Sequence, residues 1–483
     1  MNAAELLLRG EADAVALIEG TRTVTYRELR HAVRQSAAAW RSRGLAPGDV
    51  GIVAMLDGID VVAALLGLMW INAIPAPISP RTEAEQIKQL LSESGAKVLL
   101  AEDDLANAVP DARILPRSVW LVGLASTRAD DAPAVEVAAD APCFMLFSSG
   151  TTGKPKGIVH AHRCVADAHV FARDVLGATH ADRFISTSKL FFAYPIANSL
   201  FAGLRLGASV VLDPGWPNPD AVATLVRDTA PTLFFSVPTL YQRLLEAKVS
   251  LPSVRHFVSA GESCPPALAS AWQRRHGQAL VNGYGTTETL ALMLYRTAKM
   301  ESFHPTPLTV VQDEPADTSD PDASLRLWFS HPSVSLGYTR VVTHDSARFG
   351  EKGFSPGDLF RRQGVTGGAG WEFTGRSDQL LKVYGRWVDT VALEHWLLEK
   401  MQHKIRELSV IPHDADGGTV SLHLFVVSNR GQEDSVKALV KSVCDELPAF
   451  KRPAITHVLE DLPRTETGKI RRGALKTMTH RPQ

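Results

Sequence analysis

Cysteine is scarce in this sequence and its charge is balanced, and both features exclude classes of protein. Four cysteines, Cys143, Cys164, Cys264 and Cys444, lie far apart and form no CxxC pair. A disulfide framework is therefore not expected, and we expect the reducing environment of the cytoplasm. Lys and Arg together number 51, and Asp and Glu together number 52. No overall charge favours nucleic acid or a membrane surface as a partner.

Long apolar runs are also missing. The most apolar stretch, residues 61–71, covers about eleven residues, whereas about 20 are needed to cross a bilayer. We interpret it as a core helix and expect no membrane span. Residues 1–5 show no basic segment that leads into an apolar core, so an export signal is not expected either.

The length of 483 residues exceeds a single ordinary core and predicts at least two domains. Short apolar runs are each followed by a stretch of helical periodicity, which predicts α/β layers with largely parallel sheets. Prolines at Val237-Pro238 and Pro265-Pro266 suit the first turns of helices. The runs predicted as strands are residues 51–56, 97–101, 209–212, 232–237 and 255–259.

A smaller second domain is predicted towards the end of the chain. The fold class is therefore α/β, with a large multi-sheet domain over residues 1–376 and a small, mobile α+β domain over residues 377–483. Within the large domain, the acidic and proline-containing residues 307–322 predict a surface loop. In the small domain, the patterns predict helices at residues 391–401 and 434–447, and strands at residues 408–412, 420–427 and 454–459.

Residues 148–157 combine the properties of a loop that binds polyphosphate. Three glycines allow backbone N–H groups to approach an anion, hydroxyl groups add donors, and two lysines add charge. A Walker loop is excluded because Pro155 follows Lys154 where that pattern needs Ser or Thr. An ordinary hairpin is the alternative, but a turn needs no pair of lysines. The loop follows an apolar run, residues 143–147, and its candidate phosphate-binding residues are Ser148, Ser149, Gly150, Thr151, Thr152, Gly153, Lys154 and Lys156.

Further segments suit nucleotide chemistry when they are taken together. Residues 282–288 place two glycines, an aromatic ring and a carboxylate in one turn, which suits a ring-binding wall and a Mg²⁺ ligand. Asp358 offers a carboxylate that can accept hydrogen bonds from two ribose hydroxyls. Lys469 lies on a Gly-Lys tip, where a lysine is ordinarily just solvated.

In order and spacing, these segments resemble those of the adenylate-forming superfamily, which includes acyl- and aryl-CoA synthetases, luciferases and peptide-synthetase adenylation domains. The resemblance covers essentially the whole chain. It implies that a carboxylate and ATP first give an acyl-adenylate and pyrophosphate. A thiol then displaces AMP and forms a thioester. The implied cofactors are ATP, Mg²⁺ and a thiol carrier, which is CoA or the phosphopantetheine of an acyl carrier protein.

The resemblance also implies roles for individual residues. The loop 148–157 would hold the β- and γ-phosphates, Thr287 the α-phosphate and Glu288 the Mg²⁺. Asp358 would bind the ribose hydroxyls, and Arg376 the ribose or a phosphate. The residues that would flank adenine are Ala260, Gly261, Glu262, Asn282, Gly283 and Tyr284.

Three positions of the second domain take further implied roles. Lys469 would bridge the substrate carboxylate and the α-phosphate during adenylation. Asp378 matches the hinge about which the small domain turns before the thiol reacts. Gly385 would then border the tunnel for the thiol arm, where a missing side chain admits a narrow group.

The details resemble benzoate- and hydroxybenzoate-CoA ligases, on the segments 189–194, 375–383 and 450–453. The implied substrate is an aromatic carboxylic acid in a short, flat slot, because small residues leave room for a ring and apolar ones exclude water. Core packing is the alternative role for Tyr194. No acidic residue is placed for an amino group, so an amino acid is less favoured. The residues expected to line the slot are Ala193, Tyr194, Ala260, Gly283, Gly285 and Leu290.

The thiol acceptor stays open, because residues 300–327 match the family pattern poorly. The main interpretation is a ligase that makes an aryl-CoA thioester. One alternative is a stand-alone adenylase that loads an acyl carrier protein, and another is an inactive ATP-binding scaffold. An inactive scaffold would not need to keep Glu288, Arg376 and Lys469, and this sequence has all three. Homodimers are common among such enzymes, so a homodimer is kept among the expected assemblies.

We predict that Lys469→Ala slows adenylation far more than it weakens ATP binding. Loss of one cation at the developing charge costs on the order of 10² to 10³ in rate. Acid-dependent pyrophosphate exchange measures the adenylation step, and Lys451→Ala, which removes a lysine interpreted as solvated, is the control. Wild-type exchange in Lys469→Ala would contradict the role.

Overall fold

The computed structural model describes the chain apart from short segments and divides it into two compact units. The first unit comprises residues Met1–Gln312 and Trp328–Pro356, and the second comprises Asp313–Leu327 and Gly357–Gln483. The predicted domain boundary and hinge near residue 377 stay a prediction. The residues outside the description are 130, 149–155, 317–323, 340–347, 364–369, 377–379, 384–385, 402–403, 416–418, 429–432, 465–469 and 480–483.

A sheet of nine described strands is the largest layer of the first unit. Its central strands are parallel, and antiparallel strands flank them at both edges. Parallel strands are covered on both faces, which explains why the strand Leu233–Ser236 is buried at every position. In sheet order, the strands are His304–Pro305, Leu294–Arg296, Leu280–Tyr284, His256–Ser259, Leu233–Ser236, Arg183–Ser186, Ser209–Leu212, Val15–Glu19 and Arg22–Thr25.

Among the described residues, this unit also contains strands outside the nine-stranded sheet. All five runs predicted as strands are confirmed, three of them in the nine-stranded sheet and two in a parallel four-stranded sheet. The four-stranded sheet runs Ile74–Pro77, Val50–Ala54, Val98–Ala101 and Ile114–Pro116. An antiparallel sheet runs Gly337–Tyr338, Lys156–Ala161 and Pro142–Ser148, and a short hairpin joins Phe349–Gly350 to Gly353–Phe354.

Helices connect and cover these strands. Both proline-led helices are confirmed, since Pro238 and Pro266 each begin one. Within the described residues, no helix is long and apolar enough to cross a membrane. The α-helices of the first unit are Ala3–Leu7, Tyr26–Ser42, Ile59–Trp70, Ala84–Ser94, Asp103–Ala108, Arg117–Ser126, Arg163–Ala166, Val170–Leu176, Ala193–Pro195, Ala202–Leu206, Pro219–Thr229, Pro238–Glu246 and Pro266–His276, and Ile196–Phe201 is π-helical.

The predicted core helix is Ile59–Trp70, and it packs closely on the helix Tyr26–Ser42. The contact is tight at Gly67, where an added Cβ would lie 2.7 Å from Ser36 Cβ and 3.0 Å from the backbone nitrogen of Ala37. Glycine is therefore required there by the approach of two helices.

The second unit is a small α+β structure, as predicted. Its elements match the predicted helices and strands within a few residues. The strands are Asp358–Gln363, Gly370–Arg376, Leu380–Val383, Arg386–Asp389, Ile405–Ala415, Thr419–Ser428 and Ile455–Leu459, and the α-helices are Thr390–Met401, Glu433–Asp445 and Arg472–Thr479.

The expectation of a loop throughout residues 307–322 is wrong in part, because Val310–Pro315 is a strand. Two acidic residues and a proline conceal it, since these residue types are depleted in strands. The Asp313 carboxylate accepts hydrogen bonds from Arg362 at 2.6 Å and from Trp371 Nε1 at 3.0 Å. An ion pair and an indole donor thus hold a sequence that has little β propensity.

We predict that Gly67→Ala destabilises the protein by about 1–3 kcal/mol, because its Cβ would overpack two well-ordered helices. Thermal unfolding measures the loss as a lower midpoint. Gly123→Ala is the matched control, because its Cβ would meet only Arg43 Nη2, at 2.8 Å, at the end of a flexible side chain. Equal midpoints for the two variants would show that the helices can separate at little cost.

Candidate active site

Two antiparallel strands frame the predicted phosphate loop. Ser148 ends one strand and pairs with Lys156, which begins the next. Lys156 is exposed, and its Nζ lies 5.5 Å from the ring centre of Tyr338. The loop residues Ser149, Gly150, Thr151, Thr152, Gly153 and Lys154 lie outside the described residues, so their contacts with phosphate stay predictions.

The predicted adenine-binding residues lie in or just after two adjacent parallel strands. Ser259, the last residue of one strand, pairs with Asn282 within the strand Leu280–Tyr284, so Ala260 follows its strand beside the carboxyl end of the other. Ligands of parallel α/β sheets bind at this edge. At Gly261 the backbone turns with φ of +85°, a conformation that favours glycine.

The carboxylate of Glu262 is already engaged within the protein. Its Oε2 accepts hydrogen bonds from the Thr239 hydroxyl at 2.5 Å and from the Thr239 N–H at 3.2 Å. These bonds stabilise the first turn of the helix Pro238–Glu246. The contact of Glu262 with adenine stays a prediction.

Thr289 fixes the turn that carries Thr287 and Glu288. Its fully buried hydroxyl accepts a hydrogen bond from the Thr286 N–H at 2.9 Å and lies 3.1 Å from the carbonyl oxygens of Thr286 and Ala291. The predicted ligands of the α-phosphate and of Mg²⁺ thus lie in one hydrogen-bonded turn.

The environment of Glu288 fits a Mg²⁺ ligand. Oε1 accepts a hydrogen bond from the Tyr338 hydroxyl at 2.9 Å. Burial and the neighbouring negative charge raise the pKa of that phenol, so it stays a donor. Among the described residues, no hydrogen bond or ion pair reaches Oε2. A carboxylate oxygen of this kind is a ligand that Mg²⁺ prefers.

The two glycines of the turn are explained by internal packing. A Cβ at Gly283 would lie 2.6 Å from Leu292 Cδ1, and one at Gly285 would lie 2.8 Å from the Ala291 carbonyl oxygen. The chain itself fills both spaces, so room for a substrate ring is not what these glycines provide. Their predicted place in the wall of the slot stays a prediction.

The other predicted slot residues pack at the edge of the large core. Tyr194 is partly buried, its hydroxyl donates to the Val258 carbonyl at 2.9 Å, and its ring meets Phe235 edge-on at 6.2 Å. Burial raises the pKa of this phenol. Ala193, Ala260 and Leu290 are buried. Tyr194 therefore has the core packing that was its alternative role, and its contact with an aryl group stays a prediction.

Asp57 is a site residue that sequence reasoning missed. Its buried carboxylate accepts two contacts from the Leu190 N–H, at 3.1 and 3.3 Å, and so holds the segment that leads to Ala193 and Tyr194. Burial raises its pKa to about 7, although the charge of Lys189 opposes the shift. Lys189, also buried, donates to the Asp213 carbonyl at 2.5 Å. The sequence signal was only a charged residue beside an apolar run.

The second unit brings together two of its predicted site residues. Asp358 and Arg376 are direct partners on neighbouring antiparallel strands, and Asp358 is buried. Only the backbone of Arg376 is described. The remaining residues predicted for this unit, Asp378, Gly385 and Lys469, lie outside the described residues.

The comparisons with known proteins agree with this geometry. Residues 7–339 match the family described as AMP-binding enzyme. The chain belongs to that family. The predicted membership of the adenylate-forming superfamily is therefore confirmed, as is the predicted α/β fold.

Relatives of this AMP-binding enzyme include a 3-hydroxybenzoate–CoA ligase of Aromatoleum sp. (strain CIB), 30% identical over 99% of this chain and 97% of the relative. A benzoate–CoA ligase of Thauera aromatica is 30% identical over 98% and 94%. Among solved structures, a benzoate CoA ligase from Burkholderia xenovorans LB400 matches with a TM-score of 0.86 and 28% identity over 99% of this chain and 100% of that one. The chain thus resembles these enzymes over its whole length.

We predict that Asp57→Asn changes how stability depends on pH. In the unfolded state this aspartate has a pKa near 3.8, so it loses its proton at a much lower pH than in the folded state, where its pKa is about 7. The unfolded state therefore binds fewer protons between about pH 4 and 7, and this group makes the wild type less stable as pH rises.

The asparagine side chain does not ionise in this pH range, and its carbonyl oxygen can still accept the hydrogen bond from the Leu190 N–H. The free energy of unfolding of the variant, relative to wild type, should rise by up to a few kcal/mol from pH 4 to pH 7. Denaturant unfolding at each pH measures it. Asp111→Asn is the control, because Arg113 lowers the pKa of Asp111 to about 2 and its effect is constant over this window. A flat difference for Asp57→Asn would contradict the raised pKa.

Proposed function

We propose that this enzyme uses ATP to activate an aromatic carboxylic acid of benzoate or hydroxybenzoate type and transfers the acyl group to CoA. The products would be an aryl-CoA thioester, AMP and pyrophosphate. The observation that carries the proposal is the likeness over nearly the full length of both chains to a 3-hydroxybenzoate–CoA ligase. The same likeness favours CoA over a carrier protein as the thiol acceptor and an active enzyme over an inactive scaffold.

The arrangement of polar groups in the first unit supports ATP binding. The loop between the strands that end at Ser148 and begin at Lys156 would hold the β- and γ-phosphates. Thr287 and Glu288, held in one turn, are assigned to the α-phosphate and Mg²⁺. When bound, Mg²⁺ neutralises charge on the phosphate oxygens. The adenine would lie at the sheet edge formed by Ala260 and Asn282.

In this proposal, the second unit contributes the residues that would bind the ribose of ATP and the lysine that would act on the reacting groups. The buried Asp358 would accept hydrogen bonds from the ribose hydroxyls, and Arg376, its strand partner, would bind ribose or phosphate. Lys469 would orient the substrate carboxylate against the α-phosphate and stabilise the charge that develops there. Asp378 as hinge and Gly385 as tunnel residue belong to the same proposal.

Apolar surroundings support an aromatic acid as the substrate. Tyr194 and Ala193 begin a helix beside the sheet edge, and Phe235 packs on the Tyr194 ring. Such walls exclude water from the activated carboxyl group, which would otherwise hydrolyse. The Asp57 carboxylate holds this segment by accepting a hydrogen bond from the Leu190 N–H.

The test is thioester formation with ATP and a panel of benzoates, cinnamates and short fatty acids, in parallel with CoA and with a holo-acyl carrier protein. A CoA thioester of a benzoate is the expected product, identified by mass spectrometry. Adenylate formation with loading of the carrier protein and no CoA product would move the enzyme to the first alternative. Absence of any adenylate with every acid would leave the scaffold.

A further inference from the structure

Tyr338 contacts the proposed magnesium ligand, and the family resemblance gave it no role. Its hydroxyl donates a hydrogen bond of 2.9 Å to Oε1 of Glu288. Three residues earlier in the chain, Ser335 donates its N–H to the Glu288 carbonyl at 2.8 Å. One short segment therefore holds Glu288 by its backbone and by its side chain.

The same segment is anchored to the strand that leaves the phosphate loop. Tyr338 pairs with Ile158, and Thr339 donates its N–H to the Gly157 carbonyl at 2.8 Å. The Tyr338 ring centre lies 5.5 Å from Lys156 Nζ, a distance typical of a cation–π contact. Tyr338 thus touches a lysine of the loop and the carboxylate of the neighbouring turn.

The ring and the hydroxyl of Tyr338 have separable tasks. The ring packs edge-on against Phe349, with centroids 5.7 Å apart and planes at 86°. The hydroxyl reaches Glu288 and also interacts with the side chain of Arg348, and it adds nothing to that packing. A phenylalanine at this position therefore removes both polar contacts and keeps the ring contacts.

We propose that Tyr338 is a positioning residue that orients the Glu288 carboxylate so that Oε2 serves as the ligand of Mg²⁺. The proposal rests on the proposed function, in which Mg²⁺ accompanies ATP. A glutamate side chain has several rotatable bonds, and a donor fixed to one oxygen sets the direction of the other. A neutral phenol does this without cancelling the charge that attracts the cation, which an arginine or lysine in its place would do.

The test measures metal binding apart from turnover. Mn²⁺, a paramagnetic substitute for Mg²⁺, is titrated into the full chain together with an ATP analogue that carries a methylene bridge between its α- and β-phosphorus atoms. Free Mn²⁺ is read by electron paramagnetic resonance. Tyr338→Phe should bind Mn²⁺ about tenfold more weakly, the effect typical of losing a donor to a ligating carboxylate. Its affinity for the analogue in EDTA should match the wild type.

Tyr26→Phe is the matched control. It also removes a buried phenol that donates a hydrogen bond, at 2.8 Å to the Ala208 carbonyl, and it lies among core residues outside the proposed site. Its Mn²⁺ affinity should equal the wild type, even where thermal unfolding shows a lower midpoint. Equal Mn²⁺ affinities for Tyr338→Phe and the wild type overturn the proposal.

Replacing the ligating carboxylate provides an independent measurement. If Tyr338 acts through Glu288, the double variant Tyr338→Phe/Glu288→Gln should bind Mn²⁺ no more weakly than Glu288→Gln alone. Additive losses would show that Tyr338 acts elsewhere and would overturn the role. A wild type that binds Mn²⁺ and nucleotide but forms no aryl-adenylate would defeat the proposed function alone, because the Mn²⁺ affinities still decide the role of Tyr338.

Discussion

The parallel pairing of the central strands is the constraint on which the site of the first unit depends. Ser236, Ser259 and Asn282 are partners across three adjacent strands, so the segments that follow them emerge at one edge of the sheet. Backbone hydrogen bonds fix this register, and close packing on both buried faces opposes a slip. Residues far apart in sequence lie side by side because the strand register fixes the positions at which their segments leave the sheet.

Backbone groups, more than pairs of side chains, then hold the site residues at that edge. The Asp57 carboxylate accepts a hydrogen bond from the Leu190 N–H, and the Tyr194 hydroxyl donates to the Val258 carbonyl. The Thr289 hydroxyl contacts three backbone groups of its own turn. Such contacts tie the predicted site side chains to backbone groups of the fold. This is the preorganisation that stabilisation of a developing charge requires.

Local patterns predicted most of the fold and supplied the residues of the candidate site that are contiguous in sequence. The apolar runs gave the strands because a short run bounded by turn residues has few other structures, and the glycine-rich loop and the turn at Glu288 are contiguous in sequence. Tyr338 and Asp57 escaped prediction because their partners lie 50 and 133 residues away. The strand Val310–Pro315 escaped because Asp313 finds its partners only in the folded chain. The spacing of residues in a motif indicates the chemistry of one contiguous segment. Contacts between distant segments are visible only in the folded structure.

The filling of the space at Gly283 by Leu292 has a consequence for how this sequence can change. Two residues nine positions apart share one volume, so neither can grow unless the other shrinks. A side chain at position 283 becomes tolerable once position 292 carries a smaller one, and sequences that diverge here should exchange both residues together. A larger side chain at position 283 would therefore need paired substitutions, which single-step selection reaches slowly.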